Sequence, residues 1–225
     1  MSGGDLPVVS PPFDAEDGDG DGDGDGDGDD APRVAGVVLA AGTSSRFGER
    51  NKLVAPAGGD GGEPLVRAAA RTLLEAGLAP VVAVVGHEAD RVVDALDGLD
   101  VRTVRNDEFE SGQASSVRTG IDAVAAAEPP VDAAVVALGD MPFVDPATVR
   151  TLVDAYAAGV GGALAPAHEG RRGNPVLFDR RFFDPLTDVD GDVGGRAVLL
   201  GSDDSALVAV DDPGVRRDVD EPTDL

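Results

Sequence analysis

From residue 33 onward, short apolar runs alternate with alanine-rich stretches that have the residue spacing of helices. The apolar runs predict strands at Val34 to Ala40, Pro80 to Gly86, Val101 to Arg105, Asp132 to Leu138, Ala163 to Ala167, Asn174 to Phe178 and Ala206 to Val210. The intervening stretches predict helices at Pro64 to Ala76, Glu88 to Leu96, Ser115 to Ala127, Pro146 to Ala158 and Gly194 to Leu200. This alternation predicts βαβ units in one α/β domain, with a Rossmann-like, doubly wound and mostly parallel sheet.

A sheet of this kind holds its ligands at the carboxyl ends of its strands. Four loops at that edge are rich in glycine and polar residues: those after Ala40, Arg105 and Leu138, and the one around Arg171 to Pro175. We therefore expect the functional site to be built from these loops.

The charge and residue usage exclude several classes of protein. Among 225 residues, 43 Asp and Glu face 18 Lys and Arg, and the net charge is -25. Nucleic-acid binding is disfavoured without a basic stripe, and zinc ribbons and disulfides need cysteine, which is absent. The apolar runs are shorter than the roughly 20 residues that span a bilayer. Residues 1–30 lack the pattern of a secretory signal, so we expect a soluble cytoplasmic protein without nucleic-acid or membrane partners.

The basic residues are almost all arginine, and Lys52 is the only lysine. High acidity with little lysine and few large aromatic residues suggests a halophilic protein, because salt at 1 M shortens the Debye length to about 3 Å and screens self-repulsion. Compositional drift is the alternative.

Residues 1–32 are predicted to be a disordered acidic extension, because Asp and Gly alternate from Asp17 to Asp30. One register of this run resembles part of a calcium-binding EF-hand loop, with candidate ligands Asp19, Asp21, Asp23 and Asp30. No helix-forming sequence flanks the run, so a salt-solvated linker is the preferred interpretation. The folded domain is expected to cover residues 33–225.

The loop after the first strand reads LAAGTSSRFGERNK, from Leu39 to Lys52. Small residues at a strand end let the backbone approach a ligand, and Arg46 and Lys52 provide charge for a polyphosphate. The glycine spacing fits neither a P-loop nor a dinucleotide fingerprint.

This loop resembles the signature L-A-[AG]-G-x-S-x-R-[MF]-G-x-x-K of the molybdopterin nucleotidyltransferases. Within the family with a MobA-like NTP transferase domain, it is most similar to the molybdenum cofactor cytidylyltransferases. The resemblance implies a GT-A-like nucleotidyltransferase fold and a nucleotide site that includes Leu39, Ala40, Ala41, Gly42, Ser44, Arg46 and Lys52. Lys52 and Arg46 are the implied catalytic cations.

Two further segments are similar to the parts of the family's sequence that form the nucleotide site. The run NDEFESGQASSVRTG from Asn106 to Gly120 implies nucleotide-binding roles for Asn106, Gly112 and Ser116. The run LGDMP resembles L-G-D-x-P, whose aspartate holds the catalytic Mg²⁺, and this implies Asp140 as a catalytic, nucleotide-binding and metal-binding residue.

The acceptor half is implied by the runs GRRGNPVLF and GDVGGR. They resemble segments that line the acceptor side of the cytidylyltransferase branch, and the implied acceptor-binding residues are Arg171, Arg172, Asn174, Asp192 and Arg196. The closing run DVDEPTD resembles D-[IV]-D-x-P-x-D, and Asp220 is preferred to Asp218 as the second metal ligand.

The resemblance implies Mg²⁺-dependent transfer of CMP from CTP to molybdopterin, with release of pyrophosphate. CTP is favoured over GTP because the signature has Ala40-Ala41 before Gly42, although one methyl group contributes only about 1 kcal/mol to such discrimination. A molybdoenzyme or its maturation factor is a possible protein partner. The alternatives are a relative that uses GTP or a phosphorylated sugar, a regulatory nucleotide-binding module, and a calcium-binding acidic protein.

Overall fold

The computed structural model describes residues 6–13, 31–43, 47, 51–59, 61–189, 191 and 194–224. The strands are β1 (Val8–Val9), β2 (Val34–Ala40), β3 (Val81–Val85), β4 (Arg102–Arg105), β5 (Ala133–Leu138), β6 (Ala163–His168), β7 (Arg171–Arg172), β8 (Val176–Asp179) and β9 (Ser205–Ala209). The helices are α1 (Leu65–Glu75), α2 (Ala89–Ala95), α3 (Gln113–Ala125), α4 (Pro146–Ala157), α5 (Phe183–Thr187) and α6 (Arg196–Gly201).

These strands form one sheet in the order β1-β9-β6-β8-β5-β2-β3-β4, and β7 pairs with β6. Strand β8 runs antiparallel to β5 and β6, and β7 runs antiparallel to β6, whereas the other pairs are parallel. The predicted class, a mostly parallel α/β sheet, is therefore confirmed. The antiparallel course of β8 was not predicted, because apolar periodicity carries no information about strand direction.

Alternate residues of the strands contribute to two separate apolar cores, one on each face of the sheet. Val38 of β2 packs with Leu73 of α1 and Leu152 of α4 on one face, whereas Val37 packs with Ile121 of α3 on the other. Strand residues alternate between faces, so a run that is buried along its whole length needs helices on both sides. This explains the continuous apolar runs in the sequence.

Helix α3 approaches the centre of the sheet closely because it has glycine at position 120. A Cβ atom there would lie 2.4 Å from Val37 Cγ1 and 3.0 Å from Val84 Cγ2. The close packing fixes the helix against β2 and β3. Its first turn is thereby placed beside the carboxyl ends of the same strands, at the edge where ligands bind.

The structure differs from the sequence prediction in the extension at residues 1–32. Residues 6–13 include β1, which pairs in parallel with β9, and Val9 and Phe13 pack against one core. Apolar side chains in an otherwise acidic segment explain this docking on the sheet edge. The run from Asp17 to Asp30 lies outside the described residues. Within the described parts of the chain, no helix is both long and apolar enough to cross a bilayer.

Candidate active site

Lys52 lies between two carboxylates that are distant from it in the sequence. Its Nζ donates a hydrogen bond to Asp140 Oδ2 over 2.6 Å and another to Asp220 Oδ1 over 3.0 Å. The side chain is 14% exposed, compared with 21% for Asp140 and 41% for Asp220. The only lysine of the chain therefore joins the loop after β2, the loop after β5 and the C-terminal segment.

Asn51 holds the backbone that carries Lys52. The buried Asn51 side chain caps the short 3₁₀ turn Lys52–Val54 by accepting the Leu53 N–H over 3.0 Å. Its amide also donates to the His87 carbonyl over 3.4 Å. Because the turn is capped and is tied to the loop after β3, the lysine reaches the site from a fixed position.

The electrostatic environment keeps Lys52 charged. Burial of the ammonium group acts to lower its pKa, but the charge of Asp140 and its hydrogen bond, reinforced by Asp220, outweigh burial. The pKa of Lys52 consequently lies above its ordinary value. The lysine therefore carries a full positive charge at neutral pH and can attract a phosphate.

Asp140 follows the central strand β5 through a glycine. The Gly139 N–H donates to the Leu39 carbonyl over 2.9 Å, and a Cβ at position 139 would lie 2.9 Å from that oxygen. The tight join places the Asp140 carboxylate at the carboxyl end of the sheet. A larger residue at position 139 would displace it.

One oxygen of Asp140 has the properties of a metal ligand. Asp140 Oδ1 is buried and has no hydrogen-bond partner among the described residues. An unsatisfied buried acceptor costs about 1–3 kcal/mol, and a divalent cation would satisfy it. No group of three or more acidic or histidine side chains in the described residues could enclose a metal. Asp140 and Asp220 could therefore hold a divalent cation if substrate or water supplied its other ligands.

Asp220 is brought to the site by the C-terminal segment. The N–H of the fully buried Val219 donates to the Asp140 carbonyl over 2.9 Å. Asp224 Oδ2 accepts the N–H groups of Asp220 over 3.0 Å and of the next residue over 2.8 Å. Asp218, the other candidate ligand, is exposed. Of the two, only Asp220 contacts Lys52 within the described residues.

A cavity of about 430 Å³ opens beside Lys52 and Asp140. Its wall consists of Leu39, Ala41, Gly42, Thr43, Lys52, Leu53, Phe109, Glu110, Gly112, Gln113, Ser116, Leu138 and Asp140. Most of the predicted nucleotide-binding residues thus share one cavity. Gly112 has φ 106°, a conformation that favours glycine, and it turns the chain into α3 at the cavity wall.

Two of the remaining predicted nucleotide-binding residues, Ala40 and Asn106, are described and do not line this cavity. Ala40 is buried in the core and does not line the cavity. Asn106 is also buried; its amide donates to Ser115 Oγ over 2.8 Å and to Ser116 Oγ over 3.0 Å. Asn106 therefore orients a wall residue and does not itself form the wall. Ser44 and Arg46 lie outside the described residues.

A second cavity, of about 260 Å³, adjoins the first. Arg172, Asn174 and Arg196 line it together with apolar side chains that include Val117, Val136 and Phe178. Three of the five predicted acceptor-binding residues are thus brought together. Arg171, on the neighbouring position of β7, is exposed and is not part of this wall, since adjacent strand residues face opposite ways. Asp192 lies outside the described residues.

The second cavity combines two arginines with an apolar wall, so it can accommodate an anion that has an apolar body. Burial, and then the positive charge of Arg196, lower the pKa of Arg172. The guanidinium nevertheless stays protonated, because the ordinary pKa of arginine lies far above neutral pH. Two like charges held together beside apolar side chains would be relieved by an anionic ligand.

Leu39, Gln113 and Leu138 belong to the walls of both cavities. Of these three residues, only Leu39 was predicted as a site residue. Gln113 lies between Gly112 and Ser116 in a segment that was assigned to the nucleotide site, and this was the only sequence signal for it.

Two adjoining cavities lie at the carboxyl edge of a mostly parallel sheet, one beside the Lys52–Asp140 ion pair and the other lined by two arginines. This is the arrangement of an α/β nucleotidyltransferase. A family model for the MobA-like NTP transferase domain matches residues 36–218. The chain therefore belongs to the MobA-like NTP transferase family.

Relatives in this family carry different names. The chain is 34% identical over 176 residues to nicotine blue oxidoreductase of Paenarthrobacter nicotinovorans, covering 76% of this chain and 83% of that protein. It is 30% identical over 180 residues to a probable molybdenum cofactor guanylyltransferase of Natronomonas pharaonis, covering 73% and 85%.

Solved structures agree with the fold. Rv0371c of Mycobacterium tuberculosis superposes with a TM-score of 0.70 at 31% identity, covering 85% of this chain and 95% of that chain. A structure of Rv0371c in complex with manganese gives a TM-score of 0.67 at 29% identity, with the same coverage of each chain.

Proposed function

We propose that the protein transfers CMP from CTP to molybdopterin and releases pyrophosphate, with Mg²⁺ as cofactor. The observation that carries this proposal is the pair of adjoining cavities. The first, beside Lys52 and Asp140, suits a nucleoside triphosphate, and the second, beside Arg172 and Arg196, suits a phosphorylated acceptor. Their common border gives the two phosphates a place to meet.

The reaction exchanges one phosphoanhydride bond for another. A terminal phosphate oxygen of the acceptor attacks the α-phosphorus of CTP and forms the new P–O bond. The bond between the α-phosphorus and the bridging oxygen to the β-phosphate breaks, and its electron pair leaves on pyrophosphate. No oxidant is needed, and an ionised phosphate needs no general base. Positioning and charge neutralisation supply the catalysis.

The residues beside the first cavity have complementary roles in this proposal. Lys52 attracts the triphosphate, and Arg46 supports it, as expected from the sequence. The backbone around Gly42 approaches the phosphates closely, with Ser44 as an additional contact. Asp140 and Asp220 hold Mg²⁺, which when bound neutralises charge on the phosphate oxygens.

On the acceptor side, Arg172 and Arg196 bind the phosphate of molybdopterin, and Asn174 contributes hydrogen bonds. Asn174 is well placed for this because its N–H donates to the Val215 carbonyl over 2.8 Å, which fixes the loop at the cavity wall. The apolar wall residues accommodate the ring system. Arg171 and Asp192 remain sequence-based candidates for the same phosphate.

The choice of CTP rests on Ala40 and Ala41. Ala41 lines the first cavity, where its methyl group narrows the space beside a base, whereas Ala40 acts only through the core. The guanylyltransferase name of the Natronomonas pharaonis relative supports GTP as the competing substrate. An enzyme whose acceptor is a sugar phosphate would bind its nucleotide in the same first cavity.

A second candidate, an oxidoreductase activity, is favoured by the name of the relative that is 34% identical. The buried carboxylate oxygen of Asp140 and its ion pair with Lys52 favour phosphate and metal chemistry instead. The two functions differ in a simple observable, because only nucleotidyl transfer releases pyrophosphate.

The proposal is tested by incubating the purified chain in concentrated salt with Mg²⁺, one NTP and one acceptor at a time. Pyrophosphate release with CTP and molybdopterin is expected. Release only with GTP would show that the nucleotide substrate is GTP and not CTP. Release only with a sugar 1-phosphate would show that the acceptor is a sugar phosphate and not molybdopterin. The variants Asp140→Asn and Lys52→Ala should abolish release, and wild-type turnover in both would refute their proposed roles.

A further inference from the structure

We propose that Gln113 is a catalytic residue that donates hydrogen bonds to the α-phosphoryl group of the nucleotide while the acceptor oxygen bonds to it and pyrophosphate leaves. This inference rests on the proposed transfer reaction and adds to it a residue that the sequence analysis did not assign. It follows from where Gln113 lies relative to the two cavities.

Among the residues that the structure describes, one polar side chain lies at the border between the cavities. Of the three residues that line both walls, Leu39 and Leu138 are apolar, and Gln113 carries an amide with two donor hydrogens. The α-phosphoryl group stays bonded to the nucleoside in the first cavity, loses pyrophosphate and gains a bond to an acceptor oxygen that comes from the second cavity. It must therefore lie at this border during the reaction, where Gln113 is the described side chain that can hydrogen-bond to it.

The backbone around Gln113 is held by hydrogen bonds to the chain segment that precedes Arg196. Gln113 begins α3, and the next N–H, that of Ala114, donates to the Gly191 carbonyl over 2.9 Å. Further along the helix, Arg118 Nε donates to the Thr187 carbonyl over 2.9 Å. Helix α3 is thus bound to the chain segment that precedes Arg196, so nucleotide-side and acceptor-side walls are held together at Gln113.

Gly194 leaves room for the Gln113 side chain. A Cβ atom at position 194 would lie 2.7 Å from Gln113 Oε1, and Gly194 has φ 52°, which also favours glycine. The amide is therefore packed against backbone on one side and exposed towards the cleft on the other. Within the described residues it makes no hydrogen bond to the protein, so its donors are available to a substrate.

The chemistry of the step calls for such a group. As the acceptor oxygen bonds to the α-phosphorus and the bridging oxygen departs with its electron pair, negative charge is spread over the non-bridging oxygens. A neutral donor aimed at these oxygens stabilises the transition state more than either bound substrate. Its loss should therefore appear mainly in kcat, with little effect on KM.

The test compares Gln113→Glu and Gln113→Ala with the wild type, using the NTP and acceptor that the wild type accepts. Gln113→Glu preserves the side-chain shape but exchanges its donors for a charged acceptor. For both variants kcat should fall about 100-fold, as for loss of one transition-state donor, while KM for each substrate and the unfolding temperature change little.

Two single-cavity variants serve as controls. Ser116→Ala, in the first cavity only, should raise KM for the nucleotide, and Arg196→Ala, in the second only, should raise KM for the acceptor. A wild type that transfers nucleotide while both Gln113 variants keep kcat within threefold would overturn the inference alone. Should the wild type release no pyrophosphate with any NTP and acceptor, the proposed function and this inference fail together. Transfer to a different acceptor corrects the proposed function, and the same variants then decide the role of Gln113.

Discussion

Replacing Lys52 by methionine tests whether the lysine holds the two carboxylates together in the free protein. Methionine preserves much of the length and apolar stem but leaves Asp140 and Asp220 facing each other without the ammonium group. The variant should unfold more easily than the wild type, and a divalent cation should restore part of the loss by taking the place of the positive charge.

The size of the effect follows from the two hydrogen bonds. A hydrogen bond to a charged group contributes about 1.5–3 kcal/mol. The bond to Asp140 involves side chains that are 14% and 21% exposed, whereas Asp220 is 41% exposed and its share is reduced by solvent screening. We therefore expect Lys52→Met to lower the free energy of unfolding by about 2–3 kcal/mol.

Urea unfolding is the suitable assay, because urea is uncharged and the ionic strength can be held constant. The double variant Lys52→Met/Asp140→Asn removes the repulsion between carboxylates and should recover at least 1 kcal/mol or so of the loss. A free energy of unfolding for Lys52→Met within about 0.5 kcal/mol of the wild type would refute the reasoning, as would a double variant less stable than the single one.

Three further changes test other parts of the structure. Asp224→Ala removes the acceptor that holds the backbone of Asp220. The Mn²⁺ concentration for half-saturation, measured by electron paramagnetic resonance, should therefore rise roughly tenfold, with partial rescue in Asp224→Asn. Equal Mn²⁺ affinities of the variants and the wild type would exclude this positioning role. Gly120→Ala should destabilise the protein by about 1–3 kcal/mol, because the new methyl group would lie 2.4 Å from Val37. Gly201→Ala should not destabilise it, because the methyl group there would contact nothing within 4 Å. Equal thermal stability of the two variants would contradict the close packing of α3. Arg172→Gln should raise KM for the acceptor about tenfold without raising KM for the nucleotide, and a change confined to the nucleotide would reassign the second cavity.

Regular elements with strong periodicity were predictable from the sequence. The bounds of β2 match the predicted strand, and α4 begins at the predicted Pro146 because Asp145 caps it by accepting the Ala147 N–H over 2.7 Å. The short elements were missed: β1 and β7 have two residues each, and α5 has five. Segments of this length contain no more than about one and a half periods of a repeating pattern, too few to be recognised, and they depend on tertiary contacts.

The site was predictable in its residue types but not in its contacts. The resemblance selected Lys52, Asp140 and Asp220, and the structure places the Lys52 ammonium within hydrogen-bonding distance of both carboxylates. The sequence could not show that Asn106 lies behind Ser116, because a motif does not separate residues that touch a ligand from those that support them. It also could not identify Gln113, whose significance comes only from the meeting of two cavities.

The central claim is that this chain joins a nucleotide to a phosphorylated acceptor. The most direct measurement is mass spectrometry of the products formed from CTP, molybdopterin and Mg²⁺, with pyrophosphate measured in the same sample. We predict cytidylylated molybdopterin and pyrophosphate in equal amounts, and neither product with Asp140→Asn. Unchanged molybdopterin and CTP in the wild-type reaction, under salt conditions in which the protein is folded, would contradict the proposed function.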